Sequence, residues 1–189
     1  MPLVMVMMSL TLLTGLAAAL VVGTMTETAV VAGYRYGVEA FYAAEGIVEF
    51  GIRDLALAPD WEAVVSGAST SAFVDGPAEG LRQVAGMTVD LAQATADVNG
   101  LASSGADGPL RFRLYAYGRF ADLAPAVGAP PHIYLCLWVA ETTAGLRLVG
   151  RAWGPTGAER SIAVSLARVA ADDAIGPGGV HVQSWEELR

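Results

Sequence analysis

The hydrophobic pattern of this chain opens with a long apolar run. No charged residue occurs among residues 1–26, and residues 3–22 are apolar or small except for Ser9, Thr11 and Thr14. At ~1.5 Å per residue, ~20 such positions span the ~30 Å hydrocarbon core of a bilayer. Hydroxyl residues and Gly15 are tolerated in membrane helices. Past residue 26 the pattern becomes two-faced, with no turn signal at the change. Val30, Tyr34, Val38, Phe41, Val48, Ile52 and Leu55 recur three or four places apart, omitting one place. That is helical spacing, not strand alternation. Pro59 ends it. The pattern therefore predicts one helix over residues 1–58, membrane- or filament-core-like over about residues 3–24. Its amphipathic half should bury Tyr34, Val38, Phe41, Val48, Ile52 and Leu55 against the remainder of the chain.

The omitted place is Glu45, on the apolar side. One reading sets it at the margin of the stripe, in water. The other makes it half of a buried ion pair with an arginine of the head or of a neighbouring subunit, because an unpaired buried charge is costly. Gly15, Ala19 and Gly23 lie four residues apart and form a small-residue ridge suited to close helix packing. Gly33 and Gly37 soften the helix locally, and Tyr34 and Tyr36 flank Arg35 as residues at a membrane interface do. A secretory signal fits less well: no basic segment precedes the apolar run, which is also too long. The reading is a retained single-pass helix whose flanking charges set no orientation.

Residues 59–189 read as one head domain. Asp60 and Trp61 open a short segment, and residues 67–80 are loop-rich around Asp75-Gly76-Pro77. The spacing of Leu91, Ala94, Val98 and Leu101 predicts a helix capped by Thr88 or Asp90. Residues 103–109 read as a loop. Residues 110–117 alternate, with Arg111, Arg113 and Tyr115 opposite Phe112, Leu114 and Ala116. The apolar run at residues 132–140 reads as a central strand, and residues 146–153 and 160–169 flank a hairpin loop, Gly154 to Gly157. Residues 180–185 add a last strand after the glycine-rich break at residues 176–179. The fold class is α+β: a long N-terminal helix packed by its amphipathic half on a mostly antiparallel sheet of four or five strands.

Composition narrows the function. The net charge of −8 disfavours nucleic acid as a partner, since phosphates call for a basic face. All 11 basic residues are arginine, which removes lysine-dependent phosphate loops, Schiff bases and isopeptide crosslinks. Cys136 is the one cysteine, so no intrachain disulfide forms, and its apolar run marks it as a small buried thiol. His132 and Cys136 are ~13 Å apart along an extended strand, too far to share a metal. Asp172 and Asp173 lack the regular spacing of a calcium loop and read as a solvated turn. No nucleophile elbow or phosphate loop occurs. The expectation is no enzyme, no cofactor and no metal.

The block PLVMVMMSLTLLTGLAAALVV leads into Tyr42-Ala43-Ala44-Glu45-Gly46. With Asp60-Trp61, the segment Ser71 to Gly76 and the closing Ser184-Trp185-Glu186-Glu187, it resembles the type IV pilin-like family, in particular the PilX-type minor pilins. That resemblance implies a structural subunit of a type IV pilus-like filament, a minor pilin or pseudopilin acting in priming or at the tip. Such a subunit waits in the inner membrane with its head extracytoplasmic, then joins other pilin-like subunits through its N-terminal helix. Two departures accompany the likeness. Major pilins carry a glutamate at mature position five, where this chain has Met5 if Met1 is the mature start. A basic leader ending in glycine is not seen. The first departure fits a tip or priming subunit better than a repeating shaft subunit. The competing expectation is a membrane-anchored extracytoplasmic binding module.

Overall fold

The structure, a computed structural model, describes residues 2–102, 110–125, 128–169 and 179–188. The loop expected at residues 103–109 and the pair Asp172–Asp173 lie outside the described residues. Helix α1 runs Pro2–Leu57, without a break at residues 24–28 and ending two residues before Pro59. The chain forms two compact units, Met1–Tyr36 and Gly37–Arg189. Their boundary falls inside α1 rather than after residue 58, because the helix from Gly37 onward is part of the head core.

In the head unit, Asp60 caps α2 (Trp61–Ser66), accepting from the Glu62 amide at 2.8 Å, and Gly67 closes it at φ 81°. Strands β1 (Leu81–Val84) and β2 (Met87–Asp90) form a two-residue hairpin through Ala85 and Gly86, both at positive φ. Asp90 then caps α3 (Leu91–Ala102) by accepting from the amides of Ala92 and Gln93. The main sheet is wholly antiparallel, in the order β3 (Arg113–Arg119), β4 (Tyr134–Thr142), β5 (Gly145–Trp153), β6 (Glu159–Arg168) and β7 (Val180–Leu188). A single turn, α4 (Phe120–Leu123), follows β3.

The sheet is covered on both faces. Leu135, Leu137, Val139, Leu146, Leu148, Ile162, Val164 and Leu166 meet the head part of α1. Tyr134, Cys136, Trp138, Val149 and Ala163 meet α3 and the small hairpin. Double coverage explains why β4 is apolar without alternation, as a strand buried on both sides must be. Near the start of β3 a register shift between Leu114 and Ala116 changes the expected facing. Tyr115 and Ala116 both join the α1-side core, so Tyr115 does not lie opposite Ala116 as strict alternation predicts.

Candidate functional site

The longest surface with functional potential is α1 itself, and its two stretches differ in kind. Within the N-terminal unit every described leucine, methionine and valine is exposed, Leu3, Leu13 and Leu20 among them. An 18-residue window of the helix has a mean hydropathy of 2.2 and is unburied, so the helix is long and apolar enough to cross a membrane. Its hydroxyls are satisfied internally. Ser9, Thr14, Thr26 and Thr28 each donate to the carbonyl four residues earlier, at 2.7–2.9 Å. Such back-bonding leaves no bare hydroxyl proton facing hydrocarbon. Gly15 and Gly23 have open space where a Cβ would stand, and Ala19 is exposed with them. The helix therefore suits a single-pass membrane anchor.

In the head unit α1 buries Gly37, Ala40, Ala43, Ala44, Ile47, Val48, Gly51 and Leu55. Of the residues expected on this face, Val48 and Leu55 are fully buried, while Phe41 and Ile52 pack half-buried at its margin. Val38 is exposed, and Tyr34, in the N-terminal unit, is 77% exposed; neither belongs to the core face. The reason is steric. A Cβ at Gly51 would stand 2.2 Å from a methyl of Leu137, and one at Gly150 would stand 2.4 Å from Val48 and 3.1 Å from the Ala44 carbonyl oxygen. Helix and sheet approach so closely that small residues must form the contact, which turns the larger ones to its flanks.

Glu45 is half-exposed, and among the described residues no ion pair involves it. A carboxylate of α1 that does meet a distant side chain is Glu39, six residues earlier. Its Oε2 lies 3.1 Å from His132 Nε2, just before β4. Two further polar clusters secure the head. Asp75 accepts from Arg82 Nε at 2.8 Å and from the Tyr134 hydroxyl at 3.0 Å, while the Tyr117 hydroxyl donates to the Gly76 carbonyl. These bonds fasten residues 75–82 to β3 and β4. Burial, reinforced by Asp75, pushes the Tyr134 hydroxyl far above the usual phenol range, and burial likewise raises Tyr117. Tyr115 donates to Asp54 of α1 at 2.8 Å and is raised by burial first and by Asp54 second. Cys136 is enclosed, and burial raises its thiol well above the ordinary value.

The second cluster centres on Arg151, which is buried. Its guanidinium stacks near Trp138 and Trp153, donates to Ser161 Oγ at 2.9 Å and lies 3.2 Å from Glu159. It forms part of the floor of a cleft of about 1030 Å³ beside α3, whose walls include Asp97, Leu101, Arg160 and Glu187. Among the described residues no group of three or more His, Cys, Asp or Glu side chains is disposed to hold a metal.

No protein-family model, curated protein or solved structure matches the chain. Its surfaces must therefore be read on their own chemistry. Sequence reasoning missed the Glu39–His132 contact, whose partners are 93 positions apart, and the Arg151 cluster, whose members occupy three strands. The signal available for the second was the arginine within the mostly apolar β5, since a buried charge demands partners.

Proposed function

We propose that this chain is a structural subunit, a minor pilin or pseudopilin, of a type IV pilus-like filament. It waits in the inner membrane with an extracytoplasmic head, then joins other pilin-like subunits through its N-terminal helix in priming or at the tip. The observation that carries this reading is that α1 runs on unbroken past the ~20 apolar positions that span a bilayer, through Thr24, Thr26, Glu27 and Thr28, with large apolar side chains still exposed beyond them. From residue 3 to residue 34 the helix has one charge, Glu27, and Met25, Val30, Val31 and Tyr34 are 66–77% exposed. Those residues extend ~48 Å at ~1.5 Å each, against a ~30 Å hydrocarbon core. Immersing them all would require a tilt of about 50°, beyond the usual range of about 0–40°. Protein neighbours that cover the surplus make sense of it, and a filament core supplies them.

The test is fractionation of cells carrying the full chain. Recovery in sheared surface fibres with the N-terminal helix intact is expected. Retention wholly in the membrane under conditions that assemble fibres overturns the reading. The second reading, a membrane-anchored extracytoplasmic binding module, draws support from the Arg151 cleft. It predicts membrane retention together with ligand-dependent thermal stabilisation of the head.

A further inference from the structure

The two edges of the main sheet are treated differently. On the β3 edge the chain covers itself: Val74 bridges Tyr117, the Tyr117 amide donates to the Phe73 carbonyl at 2.9 Å, and the Ser71 amide reaches the Tyr115 carbonyl. No described residue pairs with the outer side of β7. That strand is also thinly covered: every residue from His181 to Glu187 is exposed, and only its ends, Val180 and Leu188, pack against the two cores. Register fixes the facing. Trp185 and Val182 lie opposite Val164 and Leu166 and so project on the α1 side, each 39% exposed, while Glu186 lies opposite Ala163 and projects on the other. The edge contains neither lysine nor proline, and what guards it is a bulge at Gln183 and the two glutamates, Glu186 and Glu187.

We propose that β7 is a docking edge that takes an extended, basic segment of a different protein as a sixth strand. The carboxylates give the chemistry. Glu186 pairs with Arg147 and Glu187 with Arg160, on opposite faces, and each pair engages one carboxylate oxygen, Oε1. The side chains remain 49% and 41% exposed. A basic residue on each face of an added strand would extend both pairs outward across the sheet, and Trp185 would pack beneath an apolar neighbour. A second copy of this chain offers neither arginine nor lysine from its own β7, and twofold pairing about Glu186 would set like charges opposite each other.

Photocrosslinking in cells expressing the full chain tests this, with benzoylphenylalanine replacing Ser184 and, as a control, Gln83 on the small hairpin. The Ser184 probe is expected to yield an adduct whose crosslinked partner peptide has alternating apolar and Arg or Lys residues. The Glu186→Gln, Glu187→Gln double variant keeps polar partners for Arg147 and Arg160 and is expected to lower the yield about 10-fold with near-UV circular dichroism unchanged. Adducts only between copies of this chain, equal yields from both probes, no adduct, or a yield indifferent to the glutamines overturns the proposal. Fractionation of the same cells answers the filament question separately.

Discussion

Two stretches of one helix solve opposite problems. In the N-terminal unit α1 carries its bulk on itself, with leucine, methionine and valine pointing outward on all sides. In the head unit its contact face is mostly glycine and alanine, and the bulk comes from the sheet. The difference follows from the neighbour. A fixed sheet face can be approached to within glycine distance, and close approach maximises dispersion contacts. The N-terminal stretch meets no such sheet, and its large side chains stay exposed. Residue size along α1 thus marks the stretch that packs on the sheet.

The largest expected effect exploits this contrast directly. Leu137 is fully buried and seated against Gly51, whereas Leu13 is exposed. Leu137→Ala should destabilise the head by about 2–5 kcal/mol, since nothing nearby can refill the cavity without moving α1. Leu13→Ala should leave head unfolding unchanged when both are measured by denaturant titration in detergent. Equal effects would erase the distinction between the two stretches.

Adding volume gives the next effect. Gly150→Ala pushes a methyl toward Val48 and toward a backbone oxygen of Ala44, which cannot rotate aside. Overpacking there should cost about 1–3 kcal/mol. Gly23→Ala meets nothing within 4 Å and should be neutral or slightly stabilising through helix propensity alone. Circular dichroism melts of the two variants suffice to compare them.

These glycines also show what the sequence disclosed. The apolar stripe established that α1 has a buried face, and Val48 and Leu55 lie on it. Its earlier members were set one residue out of phase: the face runs through Gly37, Ala40 and Ala44, not Val38, Phe41 and Glu45. Ranking residues by hydrophobicity favours large side chains, whereas close packing selects small ones. That shift also explains Glu45, which falls on the flank. Helix α3 was legible because Asp90 caps it and Leu91, Ala94 and Val98 keep period. The β1–β2 hairpin was not, because its turn uses Ala85 at φ 49°, a conformation alanine seldom adopts. The clusters around Asp75 and Arg151 were invisible because their members meet only after the sheet assembles.

A smaller effect probes where α1 ends. Arg168 of β6 donates to the carbonyls of Ala58 at 2.7 Å and Pro59 at 3.2 Å and lies 4.8 Å from the ring centre of Trp61. Trp61 in turn donates to the Leu55 carbonyl at 3.0 Å. A cation here satisfies carbonyls left over at a helix C-terminus. Arg168→Ala should cost about 1 kcal/mol, and Arg168→Lys should recover only part of it because a single ammonium cannot serve both carbonyls and the indole equally. No comparable anchor is expected in the N-terminal unit, so the loss should appear as earlier amide exchange in residues 55–61 alone.

The smallest effect near neutral pH is one that is absent there and grows in alkali. Tyr115, Tyr117, Tyr134 and Cys136 all have raised ionisation ranges in the head, with burial the first cause for each. The folded state therefore holds their protons at pH values where the unfolded chain has released them. Stability then falls as pH rises, because the unfolded state binds fewer protons. The contribution is complete below the ordinary values of about 9 for the thiol and about 10 for the phenols, and it is lost progressively above them. Head stability should accordingly be flat from pH 7 to about 9 and decline beyond, by chemical denaturation at each pH. Tyr134→Phe removes one raised group, so its decline should be shallower even though Asp75 loses a donor and the variant starts less stable at pH 7. A slope unchanged by that substitution would mean that Tyr134 is not one of the groups whose burial sets the alkaline limit.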